Sequence, residues 1–238
     1  MDTPIPIDKK AKSLFYLLQV SDPLFPIGGF TQSYGLETYV QKGIVRDAQS
    51  SMSYLESYLM NNFLYNDLLA VRLAWEYSSA GDIDALNRLD NLLSAAKAPR
   101  ELRTASIKLG IRFSKVVATA LQGTPFFDTF TDMVRSKVCS GHYSVIYGLA
   151  VWLFSIDKTD AMSAVCYSTA SAIVNNCAKL VPISQKDGQD ILFSSYPTFE
   201  KLISKVEALK EDNIGTCCFG FDLRSMQHER LYTRLYIS

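Results

Sequence analysis

The sequence has no excess charge of either sign and very little histidine. Among its 238 residues, 24 are basic, 24 are acidic and two are histidines. A chain without a concentrated block of lysine and arginine has little electrostatic attraction for nucleic acid or an anionic membrane, so neither is expected as a partner. Any histidine-based catalytic or metal site must use His142 or His228. The composition favours a protein partner or a small ligand held by shaped contacts.

Cysteine is also scarce, and no secretory signal is evident. The N-terminal stretch MDTPIPIDKKAKSLFYLLQV has charged residues before a short apolar run and no small-residue cleavage site. An odd number of cysteines in a chain of this size is typical of reduced thiols rather than of a disulfide framework. We therefore expect a cytoplasmic protein whose five thiols are reduced: Cys139, Cys166, Cys177, Cys217 and Cys218.

Long apolar runs are missing as well. Residues 144–156, SVIYGLAVWLFSI, carry no basic or acidic side chain but are too short to span a bilayer, so they predict a buried helix. Residues 161–178 are long enough, but Ser, Thr and two Asn dilute them. Their small side chains are typical of a central helix that its neighbours pack closely. No membrane association is expected.

The apolar residues that are present follow a helical period almost everywhere. Leu64, Leu68 and Val71 lie four and three residues apart, which predicts a helix from about Ala48 to Tyr77. A second pattern predicts a helix over residues 98–121, with a proline near its start and a glycine after its end. No two-residue alternation predicts a strand. The sequence therefore predicts one all-α domain over residues 1–238, a single compact bundle of roughly ten helices.

Motifs for catalysis or tight metal binding are absent. The segment HERLY places Tyr232 where the helix of a zinc protease needs its second histidine. Adjacent Cys217 and Cys218 do not form a Cys-x-x-Cys pair, so only a transient metal contact through them or His228 is conceivable. No nucleophile, base and orienting group can be assembled. We therefore expect a protein that is not an enzyme and has no cofactor of its own.

A glycine pair lies in the segment PLFPIGGFTQSYGLETYV. No lysine or strand accompanies Gly28 and Gly29, so a phosphate-binding loop is excluded. We interpret the pair as a turn in which glycine permits a positive φ, with Thr31 capping the next helix. Phe30 then either packs into the core or is presented to a partner.

The C-terminal segment MQHERLYTRLYIS, residues 226–238, is unusually apolar for a chain end. Leu231 and Leu235, like Tyr232 and Tyr236, have the i, i+4 spacing of a helix face, and arginines lie beside them. Tyr and Arg are enriched among residues that dominate protein interfaces. Two interpretations remain open: the tail folds back onto its own core, or it docks onto another chain.

These same segments resemble one known family, the UreF-type urease accessory proteins. The resemblance begins at LLQVSDPLFPIGGFTQSYGLETYV and continues through PRELRTASIKLGIRF and GHYSVIYGLAVW. It returns at KLVPISQKDGQDILF and ends at QHERLYTRLYIS, so five ordered matches span residues 17–238. Each match is weak by itself, but their order makes the set specific.

The resemblance implies a function that composition alone does not reveal. Family members are all-α proteins that form homodimers and are not enzymes. They bind the UreD/UreH accessory subunit and recruit the GTPase UreG, and the assembly inserts nickel into apo-urease. Nickel and GTP would therefore be handled by partner proteins. When the family's functional residues are transferred to the matching positions of this sequence, the resemblance implies two groups of partner-binding residues. The first is Gly28, Gly29, Phe30 and Glu37, and the second is His228, Glu229, Tyr232, Arg234 and Leu235.

Two alternatives to an assembly protein remain open. The chain could regulate UreG directly by supplying or gating a catalytic group, for which Arg103 and Arg112 are the candidates. It could also be a helical metalloenzyme that uses His142 or His228.

Overall fold

Every regular element that the structure describes is a helix, which confirms the all-α prediction. A computed structural model describes residues 8–216 and 219–238, and this part of the chain contains no β-strand. A π-helical segment, Leu59–Leu68, joins the α-helices Ala48–Tyr58 and Leu69–Ser79 into one continuous helix. Short 3-10 helices occupy Gly29–Thr31 and Glu211–Asn213. The α-helices are α1 Lys9–Ser21, α2 Leu36–Gln41, α3 Ala48–Tyr58, α4 Leu69–Ser79, α5 Ile83–Ala96, α6 Arg100–Leu121, α7 Pro125–Arg135, α8 Tyr143–Leu153, α9 Lys158–Leu180, α10 Gln185–Ser194, α11 Tyr196–Glu207 and α12 Phe219–His228.

The predicted long helices are present with nearly the predicted bounds. Continuous helix covers Ala48–Ser79, and Leu64, Leu68 and Val71 on its periodic face are buried. The π-helical segment in its middle was not predicted, because the spacing of apolar side chains does not distinguish one widened turn from regular α-helix. α6 begins directly after Pro99 and ends before Gly123, as predicted.

Helix α8 is the centre of the fold. All of its residues from Ser144 to Val151 are buried, which confirms the prediction of a buried helix, and it packs against α4 and α6. Glycines permit this close packing. A Cβ added to Gly148 would lie 2.6 Å from the Val71 carbonyl oxygen of α4 and 2.7 Å from the Ala74 Cβ. A Cβ on Gly110 of α6 would collide with the carbonyl oxygen of Gly141, just before α8.

The close approach at Gly148 gives the first testable prediction. We expect Gly148→Ala to lower the free energy of unfolding by about 1–3 kcal/mol, because α4 backbone must move to admit the methyl group. Urea denaturation followed by circular dichroism measures this. The control is Gly220→Ala in α12, where a Cβ would meet no atom of the described residues within 4 Å beyond its own helix, so alanine should be neutral or stabilising. Equal stabilities of both variants would contradict the packing argument.

A carboxylate from α5 holds the start of α8. Asp90 is fully buried and accepts the backbone N–H groups of Ser140 at 2.6 Å, Gly141 at 3.1 Å and His142 at 2.7 Å. Burial raises the pKa of Asp90, and the three N–H bonds offset only part of that rise. One side chain therefore satisfies three backbone donors at the N-terminus of α8, where helical bonds are lacking.

The long helix α9 connects this core to the N-terminal turn. Its small and polar residues were predicted to form a central helix, and Lys158–Leu180 is continuous helix with one side buried. The amide of buried Asn176 donates to the backbone carbonyl of Gln32 at 2.8 Å. None of the helices within the described ranges is both long enough and apolar enough to cross a membrane.

Candidate functional site

The glycine pair forms the turn that was predicted, but Thr31 has a different role. Gly28 has a φ of 82° and precedes the 3-10 helix Gly29–Thr31. The Thr31 hydroxyl donates to the Gly28 carbonyl at 2.9 Å, so the prediction that Thr31 caps the next helix is wrong; α2 starts after Gly35 without a side-chain cap. Phe30 is 67% exposed. The turn therefore presents this aromatic ring to solvent instead of the core.

Helix α2 begins with a buried acidic residue. Glu37, in its first turn, is 4% exposed, and its neighbours Leu36 and Thr38 are fully buried. Thr38 donates its hydroxyl to the Arg224 carbonyl oxygen of α12 at 3.0 Å. A Cβ on Gly35 would lie 2.6 Å from the hydroxyl oxygen of Ser225, also on α12. α2 and α12 therefore pack closely, and Glu37 faces the end of the chain.

The C-terminal tail is not helical beyond His228, although its leucines and tyrosines have the spacing of a helix face. From residue 235 onward the side chains alternate: Leu235 and Ile237 are exposed, whereas Tyr236 and Ser238 are buried. Tyr232 is fully exposed. The N–H groups of residues 235–237 find acceptors in the 31–37 segment, which a continued helix would not allow.

Hydrogen bonds join the tail to the glycine turn. Ile237 N–H donates to the Thr31 carbonyl at 3.0 Å. Both the N–H and the hydroxyl of Ser33 donate to a backbone oxygen of Ser238, each at 2.6 Å. The Ser238 hydroxyl donates to the Gln32 side-chain oxygen at 2.6 Å. The tail thus folds back on its own core, one of the two interpretations left open, while part of its apolar surface faces outward.

A charged cluster fixes this arrangement; we call Glu37, Glu101, His228 and Arg234 the carboxylate clasp. Glu37 and His228 are buried, whereas the Arg234 side chain is 38% exposed. Glu37 Oε1 accepts the Leu235 N–H at 2.7 Å, and Oε2 lies 3.0 Å from His228 Nε2 and accepts the Tyr236 N–H at 3.3 Å. His228 Nδ1 lies 2.7 Å from Glu101 Oε2, and Arg234 donates to Glu101 Oε1 at 2.7 Å. No group of three or more His, Cys, Asp or Glu side chains within the described ranges could hold a metal ion.

The structure brings most of the predicted partner-binding residues together. Glu37, His228 and Arg234 belong to the clasp, and Leu235 is bonded to it. Because His228 is 0% exposed and Glu37 is nearly so, neither is accessible to a second protein in this conformation. Glu229 instead pairs with Arg100 of α6 at 2.8 Å. The partner-binding role of these residues stays a prediction.

Sequence reasoning missed Glu101, the residue that links His228 to Arg234. It lies in the first turn of α6, where an acidic side chain is ordinary because it complements the helix dipole. Its position within the PRELR segment was the only signal. Gln32 and Ser33 were missed in the same way, since nothing local in the sequence indicates that they bond to the chain end.

Several apolar side chains of this region face outward, beside the exposed polar residues Arg230, Thr233 and Arg234. We call the exposed residues Phe30, Tyr232, Leu235 and Ile237 the tail surface. The bond from Ile237 to Thr31 joins the tail directly to the turn that carries Phe30, so these side chains lie on neighbouring segments. Exposed aromatic and aliphatic groups on a rigidly bonded backbone are typical of protein-binding surfaces.

The residues proposed for the alternative functions, a metalloenzyme or a regulator of the GTPase, form hydrogen bonds within the fold. His142 is buried between the hydroxyls of Ser94 at 2.8 Å and Ser106 at 3.0 Å, and burial, reinforced by Lys97, lowers its pKa to about 3. Arg103 donates to the Lys97 carbonyl at 2.8 Å, and Arg112 donates to the Ile27 carbonyl at 3.1 Å. Cys217 and Cys218 lie outside the described residues.

Comparison with known proteins identifies the family. The sequence profile of UreF matches residues 45–196, which covers most of the helical core but neither the glycine turn nor the tail. Urease accessory protein UreF of Actinobacillus pleuropneumoniae serotype 5b is 39% identical over 222 residues, 93% of this chain and 97% of the relative. The proteins of that name from Haemophilus influenzae strain Rd and Bacillus sp. TB-90 are 34% identical over 232 residues and 30% identical over 225 residues. The former alignment covers 98% of both chains, and the latter covers 94% of this chain and 99% of the relative. The chain therefore belongs to the UreF family of urease accessory proteins.

Proposed function

We propose that this protein is an assembly factor that binds the UreD/UreH accessory subunit and the GTPase UreG so that nickel is inserted into apo-urease. It acts through binding and has no catalytic site or cofactor; nickel and GTP are handled by its partners. The proposal includes a homodimer, which the resemblance implies. It also includes a cytoplasmic location, in keeping with the free, buried thiols of Cys139, Cys166 and Cys177.

The tail surface is the observation that carries this proposal. Its exposed apolar side chains would lose water on contact with another protein, which is the main source of association energy. The tail backbone is already fixed by bonds to Glu37, Thr31 and Ser33. A pre-organised surface loses less conformational entropy on binding, so more of the contact energy appears as affinity.

Substitution of exposed tail residues tests the proposal. We expect Tyr232→Ala and Leu235→Ala each to weaken capture of the UreD/UreH subunit about tenfold, because each removes an exposed contact group. Titration of the purified partner against the labelled chain measures the affinity. Neither change removes a buried side chain, so the circular dichroism spectrum should be unaltered.

The matched control is Tyr167→Ala, since Tyr167 is also an exposed tyrosine but lies on α9. Unchanged affinity in both tail variants, or an equal loss in the control, would contradict binding through the tail surface. Recruitment of UreG is then measured with the partner-loaded chain. Point variants test the tail surface more specifically than deletion of residues 226–238 does, because that deletion also removes the hydrogen-bond donors that satisfy buried Glu37.

A further inference from the structure

Helix α6 has an exposed basic face that the proposed function does not use. Lys108, Arg112 and Lys115 are exposed and lie four and three residues apart, so all three side chains emerge on one side of the helix. We call these three residues the basic stripe. It extends over about 10 Å, since an α-helix rises about 1.5 Å per residue. The only acidic residue of α6, Glu101, belongs to the carboxylate clasp.

No carboxylate in the described ranges neutralises the basic stripe. None of the ion pairs between described residues includes one of its three members. On segments next to α6, Glu229 pairs with Arg100, and Asp22 and Asp128 each accept a nearby backbone N–H group. Like charges three or four residues apart on a helix repel each other. An anionic group from another molecule would relieve this repulsion.

Arg112 joins the basic stripe to the turn that carries Phe30. Its guanidinium donates to the Ile27 carbonyl oxygen at 3.1 Å. A Cβ on Gly28 would lie 2.5 Å from Nη1 of this arginine, so glycine at this position permits the close approach. Phe30 follows two residues later and is exposed. The turn and the basic stripe therefore form one continuous surface that combines positive charges with an exposed aromatic ring.

We propose that the basic stripe and Phe30 form a docking surface for an acidic segment of a partner protein. Carboxylates of that segment pair with the three cations, and an apolar side chain beside them covers the phenylalanine ring. Aromatic residues and arginine are enriched at protein interfaces, and complementary charge speeds the encounter of two proteins. The assignment of this segment to a subunit of the urease assembly rests on the proposed function, whereas the docking chemistry does not.

The number of charges favours a protein over nucleic acid as the occupant. Nucleic-acid-binding proteins commonly neutralise about 6–10 phosphates. The basic stripe offers three cations, and the chain as a whole has no excess positive charge. Three exposed cations are sufficient to guide an acidic protein segment, because long-range attraction mainly raises the association rate.

A glutamate-rich synthetic peptide with a central leucine tests the docking chemistry without any urease protein. Titrated into the ¹⁵N-labelled full chain at low salt, it should shift the amide resonances of residues 28–31 and 108–115, and added salt should reverse these shifts. A peptide with glutamine in place of glutamate is the control and should cause none. Absent shifts, shifts centred on another surface, or tighter binding of single-stranded DNA or anionic vesicles would overturn the proposal.

Charge reversal locates the site. We expect the double variant Lys108→Glu, Lys115→Glu to bind the peptide at least about tenfold more weakly and to lose most of the salt dependence. The matched control is Lys201→Glu, Lys205→Glu, which changes the net charge equally at two exposed lysines of α11. Circular dichroism should show both variants folded. Equal losses in the two double variants would mean a net-charge effect and would overturn the proposal.

The same variants separate this inference from the proposed function. With the UreD/UreH subunit or UreG, stopped-flow mixing at low salt should show an association rate about tenfold lower for the stripe variant than for the α11 control. If neither subunit binds the unaltered chain, the proposed function fails, and the peptide titration still decides the docking chemistry. Unchanged rates with both subunits would contradict the assignment of the acidic segment to the urease assembly.

Discussion

Replacement of Glu37 by alanine should release the C-terminal tail and lower partner affinity about a hundredfold. The substitution removes the acceptor of the Leu235 and Tyr236 N–H groups and one of the two carboxylates at His228. Removing one partner of a buried charged network costs about 3–5 kcal/mol. We take the docked tail to be the form that the partner binds, so affinity falls in proportion to the fraction of molecules whose tail stays docked.

Two measurements separate tail release from general unfolding. Hydrogen exchange should show lost protection for the amides of residues 235–237, while core helix α8 keeps its protection. Titration with the UreD/UreH subunit then gives the affinity. Glu56→Ala is the matched control, since this glutamate is exposed on α3, and it should leave both quantities unchanged. A protected tail in the Glu37 variant would refute the role assigned to the clasp.

Asp90→Ala should cause a large loss of stability. It leaves three backbone N–H groups of residues 140–142 without their acceptor, at a site where two of the three residues are buried. Each unsatisfied buried donor costs about 1–3 kcal/mol, so we expect the free energy of unfolding to fall by about 3–5 kcal/mol. The start of α8 should become mobile, because this carboxylate fixes it.

Urea denaturation measures the loss, and Asp84→Ala provides the control. Asp84 lies on the same helix but is exposed, and its contribution is limited to the favourable position of an acid near a helix N-terminus. That effect is worth about 0.3–1 kcal/mol. A loss in Asp90→Ala no larger than in the control would contradict the assignment of Asp90 as the acceptor that holds α8.

The sequence by itself determined the helical architecture and the turn at Gly28. Three- and four-residue spacing in Leu64, Leu68 and Val71 has a local cause, since side chains at those intervals lie on one face of a helix. Glycine at position 28 indicated a positive φ for a similarly local reason. The ordered motifs also pointed to the UreF family, which the relatives confirm.

Only the tertiary structure decided how the chain end is held. Four-residue spacing of leucine and tyrosine in the tail was compatible with a helix, but the N–H groups of residues 235–237 bond to acceptors far away in sequence instead. His228 and Glu37 are separated by 191 positions, and Glu101 had no local feature that distinguished it from an ordinary residue of a first helical turn. The spacing of apolar residues along the sequence reflects only interactions between residues that are close in sequence. Long-range hydrogen bonds of buried charges depend on which helices meet, and that is fixed only when the whole core has packed.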